Sequence, residues 1–406
     1  MVAKYSRPLL LVLILALAFN VDFAADLRPP ATPIPATYFG LHIHRATTET
    51  PWPPMPVPEW RLWDTYSTWQ NLEGHKGQFR FDTLDQFVAL AEQHGTGLLL
   101  PLGMSPRWAS ARPSEHSTYQ PGGSAEPTNL DDWRTFVRTV VTRYKGHIQA
   151  YEIWNEPNLV GFWTGTADQM VTLTKEAARI IHQVDPQAIV VSPSVTGSYG
   201  VKWFADFIQK GGGQDVDVIG YHFYVTPKAP EQIVPLVQSV RQILSDNGLG
   251  SKPLWDTETG WLDSARFDSN ETAAGFLARA FILGWATGLQ RFYWYAWDNH
   301  KVSLKTVEDD SKTMTPAGMA YGTIEKWLIG AQMTRCATNP ESTRTCELNR
   351  NGQKQRILWN PLGKLSFTVP EAWRVSSVTP LLSEAHALSG SSVDIGPVPV
   401  LLTGQP

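Results

Sequence analysis

Residues 81–102 have the sequence FDTLDQFVALAEQHGTGLLLPL. In its first part, Phe81–His94, apolar residues recur three and four positions apart, which predicts an amphipathic helix. Gly95 follows as a candidate left-handed C-cap, and the apolar run Gly97–Leu102 predicts a buried strand. The same alternation continues along the chain on both sides. Since strands that alternate with helices pair in parallel, the pattern predicts an α/β fold.

Working outward, eight short apolar or aromatic runs are candidate strands. They are Tyr38–Ile43, Trp60–Trp63, Gly97–Leu102, Ile148–Trp154, Ala188–Ser192, Val216–Phe223, Pro253–Thr257 and Gln290–Ala296. A helical pattern follows each run except the first, whose loop at residues 44–58 is rich in proline. Eight such units at residues 38–330 predict a (β/α)8 TIM barrel, with a doubly wound open sheet as the alternative.

The N-terminal residues have the composition of an export signal. Lys4 and Arg7 precede the apolar run Leu9–Phe19, which is too short to span a bilayer but is typical of a signal peptide. We therefore predict a signal peptide at residues 1–25, export to the periplasm or the medium, and no membrane span after cleavage. The Pro-rich residues 26–37 predict an extended linker to the barrel.

The C-terminal residues 331–406 differ from the barrel region. Short β-like runs are separated there by Asn, Gly, Pro and Ser, which predicts a small β-sandwich domain. The two cysteines of the chain, Cys336 and Cys346, predict one disulfide in an oxidising compartment, with two separate buried thiols as the alternative. Without a CxxC pattern or histidine partners, they do not predict a zinc site.

The charge balance excludes some classes of partner. The formal net charge is −4 and the sequence pI is about 6.2, so the chain has no electrostatic footprint for nucleic acid or an anionic membrane. The 17 tryptophans are expected mostly in the core, although those in loops could serve as platforms for sugar rings. We expect a monomer that needs no metal or other cofactor.

Two glutamates follow predicted strands that face one another across the barrel. The fourth strand ends in YEIWNEPN at residues 151–158, and the seventh ends in LWDTETGW at residues 254–261. Functional residues of such barrels collect at the C-terminal ends of the strands, so Glu156 and Glu258 are expected together at the barrel mouth. Two carboxyl groups about 5 Å apart can flank a glycosidic bond. The pair therefore predicts acetal hydrolysis.

This combination resembles the clan A glycoside hydrolases and is most similar to family 39 and its exopolysaccharide-cleaving relatives. The resemblance covers residues 38–330 and rests on Asn155-Glu156-Pro157 together with Glu258. It extends to residues at the ends of other strands, which are Arg61, His222, Phe223, Tyr224 and Trp297. It implies a retaining hydrolase that cleaves a polysaccharide by double displacement.

The chemistry assigns roles within this set. Glu258 is expected to be the ionised nucleophile, oriented by Arg61 and Tyr224. Glu156 is expected to be the acid/base, protonated at neutral pH because burial and the nearby negative charge raise its pKa. The neighbouring acids Glu152, Asp256 and Asp263 are expected in structural ion pairs or caps.

The resemblance also implies sugar-binding residues. Asn155 would bind the 2-hydroxyl group, and Trp297 would lie under the ring that is cleaved. The expected substrate-binding residues also include His42, Arg61, His222, Tyr224 and Trp261. Because aromatic residues are spread over several loops, we expect an open groove and endo attack.

Two other functions stay open at this point. The set His42, His44, His222 and Asp298 resembles the metal sites of amidohydrolase barrels, but the fifth strand ends in Ser-Pro-Ser without a histidine. The fourth strand also offers Glu156 in place of a bridging lysine. The other alternative is a non-catalytic polysaccharide-binding or assembly protein of the cell envelope, which the presence of both Glu156 and Glu258 disfavours.

Overall fold

The computed structural model of the protein describes residues 26–262 and 264–405. The predicted signal peptide at residues 1–25 and the expected structural role of Asp263 lie outside the described residues. Within them, no helix combines the length and the apolar character that crossing a bilayer requires.

Nine parallel strand segments form the central sheet. They are β1 (Phe39–Leu41), β2 (Glu59–Arg61), β3 (Gly97–Leu102), β4 (Ala150–Ile153), β5 (Ile189–Val191), β6 (Val195–Thr196), β7 (Ile219–His222), β8 (Leu254–Thr259) and β9 (Arg291–Trp294). Their order is β5-β4-β3-β2-β1-β9-β8-β7-β6, so the two end strands are consecutive in the chain. The sheet therefore closes on itself, which confirms the predicted barrel.

The fifth strand differs from the prediction because it is split in two. Pro193 lies between β5 and β6, and proline has no N–H to donate to a strand ladder. Pairing continues on either side of it, since Val191 bridges to Val218 and Ser194 bridges to Asn155. Eight barrel positions are thus filled by nine segments.

Helices cover the outside of the barrel. They are α1 (Trp69–Leu72), α2 (Asp82–His94), α3 (Leu130–Arg143), α4 (Ala167–Val184), α5 (Val201–Gln209), α6 (Ile233–Asp246), α7 (Asn270–Ala286) and α8 (Pro316–Leu328). As expected, no helix lies between β1 and β2. The C-cap of α2 is Gly95, whose φ of 65° lies in the left-handed region that glycine adopts without strain.

The C-terminal domain is formed by two antiparallel sheets. Its strands are β10 (Gln332–Thr338), β11 (Arg344–Arg350), β12 (Gln353–Trp359), β13 (Leu365–Thr368), β14 (Val375–Pro380), β15 (His386–Ala387), β16 (Ser392–Ile395) and β17 (Val400–Gly404). Six of them form the sheet β10-β11-β12-β17-β14-β15, while β13 pairs with β16. A small apolar core that includes Leu358, Val393 and Leu402 lies between the sheets. Cys336 and Cys346 are directly opposite on β10 and β11 and form the expected disulfide.

The two domains are joined by buried polar contacts and by the N-terminal segment. Glu231 accepts hydrogen bonds from Arg279 of the barrel (3.2 Å) and from the indole of Trp359 on β12 (2.9 Å). The segment that begins at Asp26 runs beside β10, where the Leu27 N–H donates to the carbonyl of Cys336 at 2.9 Å. Ile34 pairs with the connection between the domains. Its carbonyl accepts from the Gly330 N–H at 2.8 Å, and its N–H donates to the carbonyl of Ala331 at 2.9 Å.

Candidate active site

Glu156 and Glu258 come from strands on opposite sides of the barrel. Glu156 follows β4, and Glu258 is the penultimate residue of β8. The backbone turns sharply around Glu156, because both Trp154 (φ 72°) and Glu156 (φ 44°) occupy the left-handed region. Such conformations cost about 1–3 kcal/mol each and persist where the surrounding structure holds them, often at functional sites.

The two carboxyl groups meet at the barrel mouth. Oxygens of Glu156 and Glu258 and a ring nitrogen of His222 all lie within 4.8 Å of one another. Both glutamates are largely buried, at 8% and 6% exposure, and both line the same cavity of 510 Å³. A separation of this size fits two carboxyl groups acting on one anomeric carbon, whereas inverting enzymes leave room for a water molecule between them.

A buried arginine, Arg61, holds the nucleophile candidate Glu258 in place. The Arg61 guanidinium donates to Glu258 at 2.7 Å, to Glu152 at 2.6 Å and to the amide oxygen of Asn155 at 2.8 Å. Glu152 also accepts hydrogen bonds from Ser194 and Thr257, so it lies in a structural network as expected. One guanidinium from β2 thereby fixes groups from β8 and from β4 and its C-terminal end in a single arrangement.

Each catalytic candidate has a further partner. The second oxygen of Glu258 accepts a hydrogen bond from the Tyr224 hydroxyl at 2.9 Å. A 2.9 Å hydrogen bond joins Nδ1 of His222 to Glu156. Burial lowers the pKa of His222 to about 4, so this ring is neutral at neutral pH. Glu156 therefore has a neutral partner, whereas Glu258 has a cation.

Burial dominates the protonation of both groups. It raises the pKa of Glu156 to about 7, and it also raises the pKa of Glu258 to about 7 against the lowering effect of Arg61. Two neighbouring carboxyl groups that lose their protons in this range hold one proton between them near neutral pH. Because Arg61 and Tyr224 both donate to Glu258, the carboxylate is favoured there and the proton on Glu156.

The carboxyl pair lies in the middle of a longer groove. The central cavity shares Asp64, Thr118 and Tyr119 with a cavity of 390 Å³ on one side. It shares Tyr199, Tyr224 and Thr226 with a cavity of 400 Å³ on the other side. The groove is therefore open on both sides of Glu156 and Glu258. This is the shape that a polymeric ligand lying across the barrel mouth would require.

Comparison with known families agrees with this geometry. The family model described as glycosyl hydrolases family 39 matches residues 59–284, more than half of the chain. The chain belongs to glycosyl hydrolases family 39. The matched residues include Arg61, Glu156 and Glu258.

Individual proteins resemble the chain over different lengths. A β-xylosidase of Geobacillus stearothermophilus is 29% identical over 164 residues, which are 38% of this chain and 32% of that protein. The alignments thus span about a third of the first curated relatives. A family 39 glycoside hydrolase from Bacteroides cellulosilyticus WH2 superposes with a TM-score of 0.72 at 16% identity, covering 91% of this chain and 81% of that one. A GH39 β-xylosidase from Caulobacter crescentus gives 0.63 at 18%, covering 94% and 99%.

The structure corrects part of the sequence-predicted site. Trp261 and Trp297 are 0% and 2% exposed and do not line the groove, so they pack within the family-39 barrel rather than under a sugar. The indole of Trp261 stacks on Trp294 and donates to the carbonyl of Lys228. His42 is also fully buried, where a hydrogen bond joins its Nε2 to the carbonyl of Thr257. His42 thus supports β8 from beneath.

Other groove residues were missed by the sequence analysis. They are Trp63, Asp64, Tyr119, Phe162, Tyr199 and Tyr295. Tyr295 lies just beyond β9 and lines the central cavity, whereas Trp297, two residues later, does not. Both are aromatic residues after the same strand, and only the orientation of the chain beyond Trp294 distinguishes them. Tyr119 lies in a loop and Tyr199 in a 3-10 helix of three residues, and no periodicity marks a residue in either.

The residues at the barrel mouth include a possible set of metal ligands. Glu156, His222 and Glu258 have the spacing of a three-ligand site. However, the donor set includes a carboxylate already 2.7 Å from the Arg61 guanidinium, and a cation there would meet that charge. Asp298, named in the amidohydrolase alternative, instead accepts hydrogen bonds from the backbone N–H groups of His44 and Arg45. It anchors the loop after β1.

Proposed function

We propose that the protein is a retaining glycosidase in which Glu156 is the acid/base and Glu258 is the nucleophile. The observation that carries this proposal is the approach of the two carboxyl groups within 4.8 Å in an accessible groove. Family membership supports it independently. The unequal partners of the two groups support the assignment of roles.

The proposed reaction has two steps. Glu258 attacks the anomeric carbon while the bond to the leaving oxygen breaks, and Glu156 gives its proton to that oxygen. The glycosyl ester that results has no charge on Glu258, so the pKa of Glu156 falls and it can act as a base. Glu156 then takes a proton from water, whose oxygen displaces Glu258 from the anomeric carbon. The configuration is inverted twice and therefore retained.

We propose that the substrate is a polysaccharide and that attack is internal. The groove extends to both sides of the carboxyl pair, and tyrosines lie along it: Tyr66, Tyr119, Tyr199, Tyr224 and Tyr295. Aromatic rings of this kind can stack on sugar rings at several successive positions. The printed names of the relatives, β-xylosidases and endo-1,4-β-xylanases, make xylan one probe, and exopolysaccharides are the others.

We also propose that the protein is exported to the periplasm or the medium and acts as a monomer. The apolar run at Leu9–Phe19 and the disulfide between Cys336 and Cys346 support export. A comparison of cell fractions, together with the mass of the purified protein in solution, tests both statements.

The proposed function is tested by the products. The purified protein is incubated with xylan and with a panel of bacterial exopolysaccharides, and the first products are followed by proton NMR and by chain-length analysis. We expect oligosaccharides of several lengths whose new reducing ends keep the anomeric configuration of the substrate. Products of inverted configuration would contradict the double displacement, and release of single terminal units would contradict internal attack.

The pH dependence follows from the two carboxyl groups. The acid must be protonated, and burial raises the pKa of Glu156 from its ordinary value near 4.5 to about 7. The protonated form therefore persists up to about pH 7 and is lost as the pH rises further. We expect kcat/KM to fall above an apparent pKa of about 7, measured in buffers of constant ionic strength. A rate that stays constant up to pH 9 would contradict Glu156 as the acid.

A further inference from the structure

Asp64 is a third carboxylate in the groove, outside the proposed catalytic pair. It follows β2, is half-buried and has a φ of 59°, a left-handed conformation that aspartate tolerates better than most residues. The Tyr295 hydroxyl donates to one of its oxygens at 2.7 Å, and the Tyr119 hydroxyl donates to the other. Three loops, after β2, β3 and β9, thus meet at this carboxylate.

Asp64 lies where a sugar unit next to the cleavage point would pass. It lines both the central cavity and the 390 Å³ cavity beside it. Although burial is the main cause of the raised pKa of Glu156 and of Glu258, the negative charge of Asp64 adds to it in both cases. Asp64 is therefore close enough to act electrostatically on both groups.

The ionisable groups that line the groove near Asp64 are acidic. Among the described residues that line the central cavity and the cavity on the Asp64 side, the carboxyl groups are those of Asp64, Glu156 and Glu258, and no lysine or arginine is present. Arg61, which lies below the carboxyl pair, is fully buried and already donates to three partners. The other cavity adds one lysine, Lys228, on the far side. A carboxylate on a sugar bound beside Asp64 would meet like charge with no cation to pair with.

A neutral sugar is not repelled and can donate hydrogen bonds to Asp64. Each Asp64 oxygen accepts from one tyrosine and keeps a further lone pair, so it can accept from a sugar hydroxyl. Tyr119 and Tyr295 hold the carboxylate in place before the sugar arrives, which reduces the ordering needed on binding.

We propose that Asp64, held by Tyr119 and Tyr295, is a specificity-determining residue that selects uncharged sugar units beside the cleavage point and rejects uronate units. This rests on the proposed function, because it assumes that a glycan occupies the groove. It adds a substrate class, neutral glycans, to the proposed activity.

The test compares one polysaccharide in two derivatised forms. The polysaccharide that the wild-type protein cleaves is substituted to the same degree with hydroxyethyl or with carboxymethyl groups, which are similar in size but differ in charge. At low salt we expect the wild-type protein to cleave the neutral form about tenfold faster. Asp64→Asn should reduce this preference at least about threefold, since it removes the charge and nearly keeps the shape.

Two controls make the result specific to Asp64. Asp246→Asn removes the same charge from an exposed site on α6 and should leave the preference unchanged. Tyr119→Phe keeps the Asp64 charge, so it should keep the preference while raising KM. If Asp64→Asn does not fold, the wild-type preference must still shrink as salt is raised, because salt screens the repulsion.

The outcomes separate this inference from the function on which it rests. Equal wild-type rates on the two derivatives, or an unchanged preference in folded Asp64→Asn, would overturn the inference alone. A wild-type protein that cleaves no polysaccharide would overturn the proposed function as well.

Discussion

Glu258→Gln is expected to lower kcat by a factor on the order of 10⁴ or more and to leave glycan binding intact. The amide has the size of the carboxylate but cannot attack the anomeric carbon, so the covalent route is closed. Arg61 loses one of its two carboxylate partners, but Glu152 remains against the same guanidinium at 2.6 Å. Turnover is measured as new reducing ends, and binding is measured by calorimetry with a substrate oligosaccharide.

A matched control for this variant is Glu384→Gln. Glu384 is an exposed residue of the C-terminal domain, so the same chemical change there should leave both quantities unaltered. If Glu258→Gln turned over substrate at the wild-type rate, the proposed mechanism would be wrong. A wild-type protein that binds glycan but shows no turnover at all would instead favour the non-catalytic binding function.

Glu156→Ala is expected to lose about 10³-fold in kcat on natural glycosides and much less on aryl glycosides with good leaving groups. Such leaving groups depart without a proton, so only the second step should still suffer from the missing base. The removed side chain also leaves space beside the anomeric carbon. Azide is therefore expected to enter, to attack the ester and to restore part of the rate.

The product of this rescue identifies the acid/base. It should be a glycosyl azide with the anomeric configuration of the substrate, which proton NMR can assign. An azide product of opposite configuration would mean that azide had replaced the nucleophile and that the two roles are reversed. Glu156→Gln, which leaves no space, should show the same loss of activity without rescue.

The barrel could be predicted largely because its signals are local and repeated. The stripe of Phe81–His94 becomes α2 almost residue for residue, and α4 follows the fourth strand as the alternation predicts. The exceptions have physical reasons. The first turn of helix after β2, α1, is only four residues long and shows no periodicity. The strands β10 and β11 contain no long apolar run, so no such run marks them in the sequence.

The site was predictable where it depends on strand ends and not where it depends on loops. Glu156, Glu258, Arg61 and Tyr224 follow or end strands. The structure joins Arg61 and Tyr224 to Glu258 by hydrogen bonds and brings an oxygen of Glu156 within 4.8 Å of Glu258. Asp64 could have been singled out as a polar residue three positions past Arg61. The partners Tyr119 and Tyr295 could not, because their contact depends on how three loops fold over the barrel mouth.

The N-terminal segment has a practical consequence for shortened chains. β10 is an edge strand at the border of the six-stranded sheet, and an unpaired edge strand can pair with strands of other molecules. Leu27 covers part of that border, and the Asp26 carboxylate pairs with Arg335 on the same strand. A fragment that starts at residue 38 would expose this border and should aggregate more readily, so preparations for crystallisation should begin no later than Asp26.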